Sequence, residues 1–165
     1  MSSLFPLDVE TLARLLLDEA RTRGWRISTA ESCTGGLIAG ALTDIAGSSD
    51  VVDRGFVTYS NRAKSEMLYV PGDMIADYGA VSEPVARAMA EGALAHSSAH
   101  LAVAVTGVAG PGGGTAMKPV GLVHLATAAV NGSIVHREER FIGLDRSGVR
   151  LATVRVALEM LRERI

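Results

Sequence analysis

Residues 25–36 read Trp25-Arg-Ile-Ser-Thr-Ala-Glu-Ser-Cys-Thr-Gly-Gly36. A strand-like stretch, Trp25 to Ala30, runs straight into hydroxyl, thiol and carboxylate groups and then paired glycines. Behind it, Gly36 to Ile45 reads as an apolar helix ended by Gly47. In front of it, Val9, Leu12, Ala13, Leu16, Leu17 and Ala20 recur at helical spacing, which predicts an amphipathic helix from Asp8 to Arg23 stopped by Gly24.

The same alternation continues downstream. Gly55 to Tyr59 is a second short strand, followed by a polar turn and a short helix from Ala63 to Leu68; Pro71-Gly72 then breaks the chain. Ser82-Glu-Pro opens a helix to about His96, with Ser82 as N-cap and Pro84 tolerated in the first turn. Leu101 to Val105 is a continuous apolar run of strand length, as expected for a strand covered on both faces. Val120 to Ala128 and Ser133 to Phe141 flank Asn131-Gly132, a hairpin signal if both central residues take positive φ. A last helix spans Arg146 to about Arg164. The expected architecture is a single three-layer α/β/α domain over residues 1–165, with a mixed, mainly parallel sheet and a late β-hairpin.

Composition narrows the class. The chain has 165 residues, 18 of them Gly, and a net charge of −2. The glycines follow no Gly-X-Y period and come without proline richness, which excludes collagen and low-complexity sequence. A mildly acidic balance gives no basic surface for nucleic acid. Arg137, Arg140, Arg146, Arg150, Arg155, Arg162 and Arg164 are interleaved with acidic residues and read as a solvated face. One cysteine, Cys33, permits no intrachain disulfide and fits a reducing compartment. No signal-like segment or membrane-length apolar run is present, so the expectation is a cytoplasmic protein without membrane partners.

Ten of the 18 glycines fall within residues 35–47 and 107–121, each window lying where a predicted strand ends. In an open α/β sheet that is the usual ligand crevice, and glycine lets backbone N–H groups approach a phosphate or an oxyanion. Neither window has the spacing of a dinucleotide fingerprint or a P-loop. A nucleophile at Ser32 or Cys33 needs a base, and the four histidines do not supply the usual pattern for a triad or a metal site. Lysine is the other choice, because arginine cannot lose its proton at usable pH. Only two lysines stand against fourteen arginines: Lys64, just after a strand end, and Lys118, at the far end of the glycine-rich loop. A neutral Lys64, kept so by burial or by Arg62 nearby, could take the proton of Ser32 directly or through Tyr59. Glu31 either orients Lys64 or a water, or is structural.

Five blocks carry a resemblance: Thr29-Ala-Glu-Ser-Cys-Thr-Gly-Gly36, Tyr59-Ser-Asn-x-x-Lys64, Gly79-Ala-Val-Ser82, Thr106-Gly-Val-Ala-Gly-Pro-Gly-Gly-Gly-Thr115 and Lys118-Pro-Val-Gly121. In this order they closely resemble the C-terminal domain of the competence/damage-inducible CinA proteins, standalone forms of which are nicotinamide-nucleotide amidohydrolases. The resemblance runs from about residue 8 to the C-terminus; the N-terminal domain of full-length CinA has no counterpart in these residues, so its activities are not carried over. It implies deamidation of nicotinamide mononucleotide to nicotinic acid mononucleotide and ammonia, with a small-molecule nucleotide as substrate, no cofactor, no metal, and a homo-oligomeric state.

Carried over motif by motif, Ser32 is the nucleophile and Lys64 and Tyr59 move protons. Thr106 and Gly107 shape the site around the reacting amide, and Arg146, in Gly-Leu-Asp-Arg, helps hold the nucleotide phosphate. From the residues themselves, the N–H groups of the turn Cys33, Thr34, Gly35 and Gly36 are the expected oxyanion donors, with Glu31 and Lys118 counted among the oxyanion- and substrate-binding residues. Ala116-Met117 and Leu144 depart from the family pattern in the loops. Two other readings stay open: a catalytically silent nucleotide-binding or regulatory module of the same fold, and Cys33 rather than Ser32 as nucleophile.

Overall fold

A computed structural model describes residues 2–165. Helix α1 (Leu7–Arg23) buries Val9, Ala13, Leu16, Leu17 and Ala20 along one stripe and ends at Gly24, which takes the left-handed conformation at φ 74°. It leads into β1 (Ile27–Glu31), α2 (Leu37–Thr43), β2 (Val52–Val57), α3 (Asn61–Leu68), α4 (Gly72–Tyr78), α5 (Glu83–Ala95), β3 (Leu101–Gly107), β4 (Leu122–Ala129), β5 (Ile134–Arg140) and α6 (Arg146–Glu163). The five strands form one sheet in the order β2-β1-β3-β4-β5. β1 pairs in parallel with β2 and β3, whereas β3–β4 and β4–β5 are antiparallel. Only β4 therefore runs against the other four strands, and the sheet is mixed as expected, although its ladders divide evenly between the two kinds.

Each face of the sheet carries its own core. Val103 and Val105 of β3 point to one side, where they meet α1, α2 and α6 through Leu16, Ile38, Val154 and Leu158. Ala102 and Ala104 point to the other, where Ala30, Ala126 and Ala128 join them under Val85, Ala86, Met89 and Ala90 of α5. The alternation follows from the period of two in a strand. Alanines on one face leave room for α5 to lie close to the sheet. α5 in turn meets α3 at Gly92, where a Cβ would overlap the Leu68 carbonyl oxygen.

Several local expectations are revised. β1 starts at Ile27 because Trp25 is engaged outside the sheet, beneath the Arg23 guanidinium at 3.6 Å and stacked on His100. β2 begins three residues earlier than expected and contains a bulge: Ile27 faces Val52 but Ser28 faces Arg54, so Asp53 is an extra residue. Pro71-Gly72 does not only break the chain; it starts the short helix α4, for which Pro71 is the N-cap. Ser82 stands at the N-cap of α5, but its hydroxyl donates to Gly79 O at 2.8 Å and caps no helix N–H. In the hairpin turn only Gly132 has positive φ (88°), while the Asn131 side chain accepts from Ser133 N and Oγ, so the loop is not the two-residue type with both residues left-handed. Among the described residues no helix is long and apolar enough to cross a membrane.

Candidate active site

The carboxyl ends of β1, β2 and β3 come level at one edge of the sheet. Glu31 pairs with Val57 and Val105, which places Ser32 beside Thr58 and Thr106. A cavity of about 300 Å³ opens there, lined by Ser32, Cys33, Tyr59, Asn61, Lys64, Ala80, Val81, Thr106, Gly107, Ala109 and Arg146. That is the lower end of the size range of small-molecule sites. A larger hollow of about 530 Å³ at the ends of α1 and α6, among Asp18, Glu19, Thr22, Arg23 and Ile165, holds no nucleophile.

Ser32 extends β1 by one hydrogen bond, its N–H donating to Val105 O at 3.1 Å. Its side chain meets Lys64, which projects from α3; that helix is started by Ser60, whose hydroxyl accepts from Ala63 N at 3.0 Å. Lys64 is only 1% exposed. Its Nζ donates to Thr58 O at 2.9 Å and to Tyr59 O at 3.4 Å and lies 2.9 Å from Ser32 Oγ, within hydrogen-bond distance. No carboxylate is among these partners, and burial pushes the amine's pKa below its ordinary value. Arg62 plays no part in this, because it is exposed and paired with Glu66 at 2.6 Å.

The other predicted residues separate into two groups. Cys33 lines the cavity, but desolvation pushes its thiol up to about 12, which keeps it protonated at neutral pH. Thr106 lines it too and donates to Ala80 O at 2.9 Å, pinning the loop before α5. Gly107 is required by the sheet, since a Cβ there would stand 2.7 Å from Val123 Cγ2. Arg146, at the start of α6, spans the cavity mouth, donating to Gly110 O at 2.7 Å and to the Tyr59 hydroxyl at 3.4 Å. Tyr59 itself is 63% exposed, so its carbonyl faces Lys64 while its hydroxyl faces Arg146.

Glu31, Thr34, Gly35, Gly36 and Lys118 do not line the cavity. The buried Glu31 carboxylate accepts from Thr34 Oγ1 at 2.5 Å, Ile38 N at 2.8 Å and Ala39 N at 3.0 Å, so it caps α2 rather than orienting Lys64. Gly35 and Gly36 have φ of 58° and 105°, the conformation that lets the chain turn at once from β1 into α2. In this turn Gly35 N–H is taken by Ser32 O, whereas the N–H groups of Cys33, Thr34 and Gly36 have no protein acceptor among the described residues. Lys118 Nζ donates to Tyr78 O.

Sequence reasoning missed Asn61, Ala80, Val81 and Ala109 in the cavity wall. It also grouped Arg150 with the solvated arginines, yet Arg150 donates to the carbonyls of Cys33 and Thr34. The four-residue spacing from Arg146, which puts both on one face of α6, was the available signal. His124 and His136 face each other at 2.9 Å on β4 and β5 and neither lines the cavity. Among the described residues no group of three His, Cys, Asp or Glu side chains could hold a metal ion.

Comparison with known proteins places this geometry in context. The model of the CinA C-terminal domain matches residues 9–165. Nicotinamide-nucleotide amidohydrolase PncC of Enterobacter agglomerans is 50% identical over 161 residues, 97% of this chain and 94% of that protein. A CinA-like protein of Mycobacterium sp. (strain MCS) is 55% identical over 139 residues, 84% of this chain but 33% of its own length. The chain thus spans about a third of the length of such CinA-like relatives. The crystal structure of competence/damage inducible protein CihA from Agrobacterium tumefaciens superposes with a TM-score of 0.97 at 61% identity, covering 98% of both chains.

Proposed function

The chain belongs to the CinA C-terminal domain family, and from that premise we propose that it is an amidohydrolase that converts nicotinamide mononucleotide to nicotinic acid mononucleotide and ammonia, with Ser32 as nucleophile and Lys64 as base. The observation that carries this reading is the 2.9 Å contact between Lys64 Nζ and Ser32 Oγ inside a buried cavity. A neutral amine has two N–H groups and one lone pair. Thr58 O and Tyr59 O take the two N–H groups, and the lone pair is left for the Ser32 hydroxyl proton.

Lys64 removes that proton as Ser32 Oγ attacks the carboxamide carbon. The oxyanion that forms is met by the free N–H of Cys33, the one residue of the Cys33–Gly36 turn that lines the cavity, such a donor contributing about 3–4 kcal/mol. The Lys64 ammonium then protonates the departing nitrogen, and ammonia leaves an acyl ester on Ser32. Water gives its proton to Lys64 and attacks the ester; the proton returns to Ser32 Oγ as the acid departs. Well-placed proton transfer of this kind contributes roughly 10²–10⁴-fold. Arg146 at the mouth supplies a cation for the nucleotide phosphate. The substrate identity comes from the likeness to the amidohydrolase of Enterobacter agglomerans. With this reading go the expectations of a cytoplasmic enzyme that self-associates, the latter checked by its mass in solution.

Ammonia release from nicotinamide mononucleotide by the wild type and by Ser32→Ala, Cys33→Ala and Lys64→Met is the test. Turnover should vanish in Ser32→Ala and Lys64→Met and survive in Cys33→Ala. Binding without turnover by the wild type would establish the silent-module reading instead, and a dead Cys33→Ala beside an active Ser32→Ala would move the nucleophile to the thiol.

A further inference from the structure

Backbone groups two residues apart on a strand face the same neighbour, and those of the residue between them face the other way. On β3, Val105 O accepts from Ser32 N at 3.1 Å and so faces β1, whereas Val108 N donates to Leu122 O at 2.9 Å and faces β4. Gly107 is still within β3, opposite Val123, and its N–H therefore points toward β1. Pairing of β1 with β3 carried one step further would give that N–H to Ser32 O. Ser32 O instead accepts from Gly35 N at 3.1 Å, because the chain turns at once from β1 into α2. The Gly107 N–H is left with no protein acceptor among the described residues.

The space it points into is the reactive cavity, which Gly107 lines together with Ser32, Cys33 and Thr106. Glu31 and Val105 are level, so Gly107 stands one residue beyond Ser32, beside the place that Cys33 would take if β1 ran on. The turn into α2 leaves the sheet toward the face that holds Ile38, Val103 and Val105. Ser32 and Thr106 follow Ala30 and Ala104 by two residues and share the opposite face, from which Lys64 reaches Ser32. β3 and β4 lie so close that a Cβ on Gly107 would stand 2.7 Å from Val123 Cγ2 and 2.9 Å from Leu122 O, and the Val108 bond to β4 follows immediately. The direction of the Gly107 N–H is thus set by the sheet before any substrate arrives. Cys33 N–H is the other free donor on the cavity wall. One N–H from the residue after the nucleophile and one from a neighbouring strand end is an arrangement by which α/β serine hydrolases meet a tetrahedral oxyanion.

We propose that the Gly107 N–H is a second oxyanion donor, acting with the Cys33 N–H. As Ser32 Oγ bonds to the carboxamide carbon, the π pair of the carbonyl moves onto its oxygen, and the two N–H groups meet that charge without giving up their protons. The inference rests on Ser32 being the nucleophile, but not on the identity of the amide.

The test uses the whole chain and a fluorophosphonate, which bonds to Ser32 Oγ with loss of fluoride and places a phosphoryl oxygen where the oxyanion would form. In protein carrying isotope-labelled glycine and cysteine, the amide proton signals of Gly107 and Cys33 should move downfield in the adduct, and that of Gly132 in the hairpin turn should stay. A second measurement puts glycolic acid in place of Gly107 during translation, which exchanges the N–H for an ester oxygen and adds no Cβ. Both kcat for ammonia release from nicotinamide mononucleotide and the rate of Ser32 labelling should fall by about 10²–10³-fold. KM and the affinity for nicotinic acid mononucleotide should stay within about threefold. A Gly107 signal that does not move in the Ser32 adduct, or labelling of the glycolic acid chain within about threefold of wild type, overturns the inference and leaves the nucleophile standing. If the glycolic acid chain does not fold, the signals of the unaltered chain decide. A wild type that is labelled but releases no ammonia removes the proposed substrate alone. A wild-type Ser32 that is not labelled overturns the nucleophile and this inference together.

Discussion

Replacing Lys64 by Met separates what this side chain does for the reaction from what it does for the fold. Lys64 Nζ is 2.9 Å from Ser32 Oγ, within the reach required of a general base before substrate arrives. The loss should therefore fall in the upper part of the general-base range, about 10³–10⁴-fold in kcat, or roughly 4–5.5 kcal/mol of transition-state stabilisation. Lys64→Arg should be equally inactive, because guanidinium keeps its proton. In the wild type, kcat/KM should rise with pH as the buried amine loses its proton, with a midpoint below the ordinary lysine value of 10.5. Stability carries a second signature. A lysine whose pKa is lowered by folding binds fewer protons folded than unfolded between its folded pKa and 10.5, so stability contributed at this site rises with pH through that window. The stability gap between wild type and Lys64→Met, measured by urea unfolding at a series of pH values, should shift toward the wild type as pH climbs to 10.5 and then level. More than a tenth of wild-type kcat in Lys64→Met, or a gap that does not move with pH, would refute the reasoning.

Other perturbations address single contacts. Cys33→Ala should keep kcat within a few-fold in the ammonia assay, since a thiol at about 12 is not an ion at neutral pH. Arg146→Met should raise KM for nicotinamide mononucleotide by roughly 10–100-fold, the worth of a charge-assisted hydrogen bond, and leave nicotinamide riboside, which has no phosphate, unaffected. Glu31→Gln removes the charge from an acceptor of three hydrogen bonds; a loss of about 2–3 kcal/mol should lower the melting temperature by roughly 4–12 °C. Gly92→Ala, which in an open helix would stabilise by about 0.5–1 kcal/mol, should instead destabilise by roughly 1–3 kcal/mol because of the Leu68 carbonyl; a raised melting temperature would contradict the close approach of α3 and α5.

The parts of the fold written in local pattern were legible. The stripe of α1, the apolar run of β3 and the glycine turn after β1 each follow from spacing within one element. α4 was hidden because seven residues are too few to show a period, and proline marks a helix start as readily as a stop. At the site, the scarcity of lysine drew attention to Lys64, but its partner is 32 positions away and only the pairing of β1 with β2 brings them level. Adjacency in sequence misled at Arg62, because residues two apart on a helix do not share a face and Arg62 turns outward to Glu66. Glu31 adjoins Ser32 in sequence, yet a strand sends successive side chains to opposite faces, and its carboxylate serves α2. Arg150 was illegible for a different reason: its targets are backbone carbonyls, which leave no trace in residue type.

The bulge at Asp53 bears on chemistry at the far end of its strand. Pairing continued without it would set Ser28 against Asp53 and Ser32 against Val57, leaving Thr58 and everything after it one residue further along. One residue of strand is about 3.3 Å, more than the whole 2.9 Å hydrogen bond between Lys64 and Ser32. Asp53 is held by Arg54 at 2.6 Å and by Ser98 N at 2.9 Å, so the offset is fastened where it is introduced. The nucleophile and its base are in phase because of an irregularity set five residues before Thr58. Drift in length at the start of β2 is thus forbidden to this chain even though nothing there touches a substrate.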